Sequence, residues 1–146
     1  MVAKETRFRG QLPMNAEKSD FLARYWKSIL LLVWLAASAY FLFDRWHAIR
    51  WFALADTDDN MRIMQVRALM HGQDWYDLRQ YRLDPPNGAN IHWSHFVDLP
   101  IVGIILLAKP FFGGLVAEKI AVALAPLIPL GIAMTGLGLT ARRLVA

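Results

Sequence analysis

Polar and apolar positions divide the chain into a charged lead-in, an apolar run, a mixed middle and two further apolar runs. The first run, Ile29 to Phe43, is fifteen residues without a charge, bracketed by Trp26 and Trp46. A membrane-crossing helix takes about 20 mostly apolar residues. That count is met by adding Tyr25 to Ser28 and letting Lys27 and Arg45 reach toward water. The second run, Leu99 to Ala108, is interrupted by Lys109-Pro110 and followed by Phe111-Phe112-Gly113-Gly114. Asp98 stands where a helix cap is expected, and Pro100 falls in the first turn, where its missing N–H is tolerated. The third run, Ile120 to Thr140, holds Pro126, Pro129, Gly131, Gly136 and Gly138, residues more at home in membrane helices than in soluble ones. Gly131 to Thr135 and Gly136 to Thr140 are small residues four apart. They read first as a kinked helix and second as a close helix contact.

The middle has a helical period of its own. Met61, Ile63, Met64, Val66, Leu69 and Met70 recur with the spacing of an amphipathic helix over Asp59 to Met70, with Gly72 to end it. Trp75 and Tyr76 open a polar and aromatic section, Asp84-Pro85-Pro86-Asn87-Gly88 makes a turn, and His92-Trp93-Ser94-His95 leads into the second run. The pattern predicts an all-α polytopic membrane protein, with three spans and a large extracytoplasmic loop of amphipathic helices. Its parts are a cytoplasmic tail (1–24), a first span (25–46), an acidic outer loop (47–98), and two spans with a short cytoplasmic link (99–146).

Composition points the same way: 56% of residues are hydrophobic, with six Trp and eight Phe. A signal peptide is disfavoured by the long charged lead-in and by Ala36, Ala37 and Ala39 lying inside the apolar run. The basic pI of 9.7 does not indicate nucleic acid, because the cations are scattered among apolar runs rather than gathered on one polar face. With no Cys, thiolate chemistry and disulfide staples are unavailable.

Orientation follows from the cations near the spans. Lys4, Arg7, Arg9, Lys18, Arg24 and Lys27 precede the first span, whereas six Arg and eight Asp are spread over residues 44 to 98. The amino terminus is therefore expected in the cytoplasm and the acidic loop outside. The link with Lys109 and Lys119 would return to the cytoplasm, and Arg142-Arg143 would fall outside, against the usual preference.

Candidate chemistry is concentrated in Asp56-Thr57-Asp58-Asp59-Asn60-Met61-Arg62. Asp56, Asp58 and Asp59 stand at the start of a helix, where its dipole favours carboxylates. Capping is their bland role; a general base or a cation site is the functional one. Arg62 suits either an ion pair with Asp58 or Asp59 or a phosphate group. His92 and His95, three apart, read more readily as surface residues than as a zinc pair, since no third ligand is evident.

A cytoplasmic start, a first span, an outer loop with that acidic motif near its beginning, and short-looped spans after it resemble the opening of a C-type (GT-C) glycosyltransferase. Leu83-Asp84-Pro85-Pro86 and His92-Trp93-Ser94 add to the likeness, which covers roughly residues 25 to 146. The resemblance implies transfer of a sugar from a polyprenyl-phosphate-type donor to an outward-facing acceptor, in a bacterial inner (plasma) membrane. It implies Asp56 as base or metal ligand, with Asp58 and Asp59 as alternatives or helpers, Arg62 and His92 facing substrate, and a divalent cation (Mg or Mn) where the family uses one. Thr57 stands where some relatives carry proline. Because that family builds its donor groove from many spans, the chain reads as an amino-terminal portion completed by further helices or a partner membrane protein. The competing expectation is a small non-catalytic membrane subunit or interaction module.

Overall fold

The computed structural model describes residues 14–54 and 56–145. Residues 1–13, and with them Lys4, Arg7 and Arg9, lie outside the described residues, as do the side chains of Glu17, Lys18 and Asp20. Helix follows helix: α1 (Met14–Asp44), α2 (Trp46–Trp51), α3 (Thr57–Met70), α4 (Leu99–Phe112), α5 (Gly114–Leu124) and α6 (Leu127–Val145). The all-α expectation holds but for one small ribbon, in which β1 (Arg79–Gln80) pairs antiparallel with β2 (Ala89–Asn90). At its base Tyr81 donates from its hydroxyl to Asp77 Oδ2 at 2.8 Å. That bond holds the Asp77 carboxyl below its ordinary range and pushes the Tyr81 phenol up.

Three stretches are long and apolar enough to cross a membrane: Ala23–Asp44, His95–Phe112 and Gly114–Leu144. The last is broken at Ala125-Pro126 into α5 and α6, because proline donates no hydrogen bond and its ring crowds the preceding turn. Pro129, in the first turn of α6, costs no such bond. α4 ends where Gly113 takes a positive φ of 78°, a conformation open to glycine, and α5 returns against α4.

α1 and α6 pack antiparallel. Trp34 donates from Nε1 to the Leu127 carbonyl at 3.1 Å, while at the other end the Arg142 guanidinium lies 5.7 Å from the Trp26 ring centroid. Arg142 therefore sits beside the start of the first apolar stretch, and not at the opposite end from Lys27 as three alternating spans would have it. Lys119 of α5 donates to the Arg50 carbonyl of α2 at 2.5 Å.

The buried core lies where α3 meets the α4–α5 hairpin. Ile63 and Val66 of α3 pack with Ile101, Ile105 and Ala108 of α4 and with Ala117 and Ala121 of α5. The alanines let α4 and α5 approach closely, and Ile105 and Val66 fill the space between. Arg67 fastens the junction with a two-pronged bond to Glu118, 2.8 Å from Nε and 2.5 Å from Nη2. The Glu118 carboxylate in turn pushes the Arg67 guanidinium up. Elsewhere apolar side chains face outward, among them Phe43, Leu107, Phe111 and Leu137. Apolar surface on this scale is what a bilayer or another protein covers.

Candidate functional site

The acidic motif is built from the cap of α3. Asp56 is extended (φ −111°, ψ 146°) and accepts from the Asp58 backbone N–H at 3.2 Å, satisfying one of the donors that a helix start leaves free. Asn60 steadies the same corner by donating to the carbonyls of Leu54, at 3.2 Å, and Asp56, at 2.7 Å. Asp58 and Asp59 follow in the first turn. All three residues are exposed, and Asp56 is committed to the cap through Oδ1.

Arg62 stands one turn further along, roughly 40° around the helix from Asp58. It does not pair with Asp58 or Asp59. Its Nη1 donates instead to Asp98 Oδ1 at 2.8 Å, across 36 residues of chain. Asp98 is fully buried, and its other oxygen lies 2.9 Å from His95 Nδ1. The guanidinium also lies 4.8 Å from the Trp93 ring centroid, within cation–π range. Arg62 is thus fixed from two sides and keeps 27% of its side chain exposed. A guanidinium carries five N–H donors, so most of its fork is left for an anion.

Asp98 corrects one expectation. It occupies the cap position of α4 but has helical angles (φ −83°, ψ −24°) and makes no side-chain cap bond, because its carboxylate is turned inward to Arg62 and His95. The histidines part company as well. His92 is exposed, with its ring 5.9 Å from that of Trp93, whereas His95 is only 3% exposed and sits beside Trp75 at 5.5 Å. The two do not share a helix: His95 opens a 3-10 turn, His95–Val97, after His92. The His95 Nε2 atom is buried and, among the described residues, has no partner.

The motif and the cluster share α3, so the structure brings Asp58, Asp59 and Arg62 onto one short helix and places Asp98, His95 and Trp93 behind Arg62. Among the described residues, His92 joins only through Trp93. Among the described residues, no group of three or more His, Asp or Glu side chains is placed to hold a metal ion. Chemically, the arrangement offers carboxylates able to take a proton or a hydroxyl hydrogen bond, next to a fixed cation able to hold an anion. No protein family, curated protein or solved structure matches the chain.

Proposed function

We propose that this chain forms part of the site of an integral membrane glycosyltransferase of the GT-C type, which moves a sugar from a polyprenyl-phosphate-type donor to an acceptor outside the membrane. The observation that carries this reading is Arg62, held by the buried Asp98 and the Trp93 ring one turn past exposed carboxylates. A preorganised cation beside free bases suits a reaction in which a hydroxyl attacks and a phosphate leaves. Three apolar stretches support the membrane setting, a bacterial inner membrane with the amino terminus in the cytoplasm.

In the proposed step Asp56 takes the proton of the acceptor hydroxyl as its oxygen bonds to the anomeric carbon. The bond from that carbon to the donor phosphate breaks, the electron pair leaves with the polyprenyl phosphate, and Arg62 receives the charge. Asp56 then returns its proton to solvent. Asp58 and Asp59 stand beside it as alternative bases or helpers; being adjacent on one helix they do not face each other, and no metal-holding group is found among the described residues. His92, exposed beside Trp93, is available to sugar hydroxyls.

Asp56→Asn is the test. Asn caps a helix about as well as Asp, so the protein's membrane level is expected to hold while sugar transfer in isolated membranes is abolished. Retained transfer would remove Asp56 from the mechanism. The second reading, a non-catalytic subunit or interaction module, draws on the outward apolar faces of α1 and α6, and predicts that Asp56→Asn leaves complex formation and growth unchanged.

A further inference from the structure

Two arginines of α3 meet a carboxylate in different ways. Arg67 and Glu118 form a closed fork, in which Nε and Nη2 each take one carboxylate oxygen. Arg62 reaches Asp98 only from Nη1 to Oδ1, and among the described residues its Nε and Nη2 have no hydrogen-bond partner. The difference lies in the second oxygen: Asp98 Oδ2 is taken up by His95 Nδ1, whereas Glu118 has no third partner among the described residues. We propose that His95 is a positioning residue. By holding Oδ2 it keeps Asp98 from closing a fork on Arg62, and so leaves the guanidinium able to take a phosphate through two bonds. The inference rests on the glycosyltransferase reading, in which Arg62 receives that phosphate.

The partners fix which nitrogen of His95 carries the proton. A carboxylate paired with a guanidinium accepts at both oxygens, so Nδ1 is the donor to Oδ2. A neutral imidazole has one donor and one acceptor, which leaves Nε2 as a bare lone pair. Nε2 is buried and, among the described residues, has no partner. A proton there would be a buried donor with nothing to receive it, which is costly; the Nδ1–H tautomer avoids that cost. The Trp75 ring packs beside the imidazole. His95 is thereby held as a donor aimed at one oxygen of Asp98.

The consequence falls on Arg62. Arginine binds a phosphate best through two parallel N–H bonds from one edge of its fork. The Trp93 ring contacts the guanidinium through its π face and does not accept the in-plane N–H groups as a carboxylate does. A closed fork with Asp98 would take up a whole edge and set both carboxylate oxygens against the guanidinium, where their charge opposes an incoming phosphate. His95 draws one of those oxygens, and its charge, aside. Arg67, with no such histidine, is a closed clasp; Arg62 is an open one.

The test is binding of inorganic pyrophosphate by the full chain in detergent, measured by calorimetry, with the His95 tautomer read by nitrogen NMR of histidine-labelled protein. The unaltered protein is expected to bind pyrophosphate and Arg62→Gln to lose it. His95→Phe keeps a ring and drops the donor, and is expected to bind about tenfold more weakly, the worth of one charge-assisted hydrogen bond. His95→Asn is expected to restore most of that affinity, because its amide N–H stands as far from the backbone as Nδ1; His95→Gln, with the amide one bond further out, does not. A residue that only fills space would give the opposite order, with Phe nearest to the unaltered protein, and that order overturns the inference. If His95→Phe fails to fold, the unaltered protein decides: a proton on Nδ1 supports the inference and one on Nε2 overturns it. Equal affinity of His95→Phe and the unaltered protein removes His95 and leaves Arg62 as the phosphate holder. Binding that survives Arg62→Gln, or no binding at all, removes the phosphate role of Arg62 and this inference with it, while the catalytic base is judged separately by Asp56→Asn.

Discussion

Asp98 is the residue on which the site turns. A carboxylate with no exposure at all is tolerable only if both oxygens are engaged, and here one takes Arg62 and the other lies against His95. Asp98→Asn removes the charge while keeping the shape, so Arg62 loses its counterion and one buried contact becomes mismatched. Removing one partner of a buried pair costs about 3–5 kcal/mol; partial exposure of Arg62 puts the expected loss near the lower figure. Thermal unfolding of the purified protein in detergent measures it, and an unchanged midpoint would mean that the pair contributes nothing to the fold. Asp56 and Asp98 also show what single residues disclose in a sequence. The cap at Asp56 was legible because its partner is two residues away. The partner of Asp98 is 36 residues away, and an Asp before an apolar run reads as a cap wherever its carboxylate turns. The spacing of His95 to His92 reads as a surface pair for a similar reason: the burial of His95 comes from Trp75 and Asp98, which the spacing does not show.

At the scale of elements, α1 and α6 are joined through glycine. A Cβ at Gly131 would lie 3.1 Å from Trp34 Nε1, the atom that bonds to Leu127, whereas one at Gly136 meets nothing within 4 Å. Gly131→Leu must push the indole away, and overpacking of this kind costs typically about 1–3 kcal/mol. Gly136→Leu is expected to leave stability unchanged or to raise it by up to about 1 kcal/mol through helix propensity. Paired unfolding curves check the contrast, and equal losses from both would mean that the glycines serve backbone flexibility and not contact. Helix α3 is readable from its period and its Asp56 cap, and α1 and α4 from their apolar runs, all of which are local. The break between α5 and α6 could be suspected from Pro126, but a kinked single helix and two helices have the same hydropathy. Which helix pairs with which depends on side chains far apart in sequence, such as Trp34 with Gly131.

At the scale of the molecule, charge sorts along the α1–α6 pair. Arg24, Lys27, Arg142 and Arg143 gather at the end where Arg142 meets Trp26, and Asp44 with the Asp56–Asp59 motif lies at the other. On the membrane reading this removes the conflict that alternating spans created, since all four cations then share the cytoplasmic side favoured by Lys and Arg. The α4–α5 hairpin begins and ends at the acidic end: Asp98 bonds to Arg62, and Val122 and Pro126 line a cavity with Asp59. α4 has 14 residues, about 21 Å at 1.5 Å per residue, short of the roughly 30 Å hydrocarbon layer. On the membrane reading, a helix this short is expected to dip into the layer and return with α5 to the side it left, although with the preceding turn the apolar stretch His95–Phe112 has 18 residues. The chain has no Cys, so single cysteines report sidedness without background. Tyr76→Cys is expected to react with a membrane-impermeant maleimide in intact cells, Lys109→Cys, held within the layer near the hairpin tip, to resist it with or without permeabilisation, and Arg143→Cys to react only after permeabilisation. Labelling of Arg143→Cys from outside would break the α1–α6 pairing. Labelling of Lys109→Cys only after permeabilisation would make α4 a crossing helix, with its tip on the side of the basic cluster.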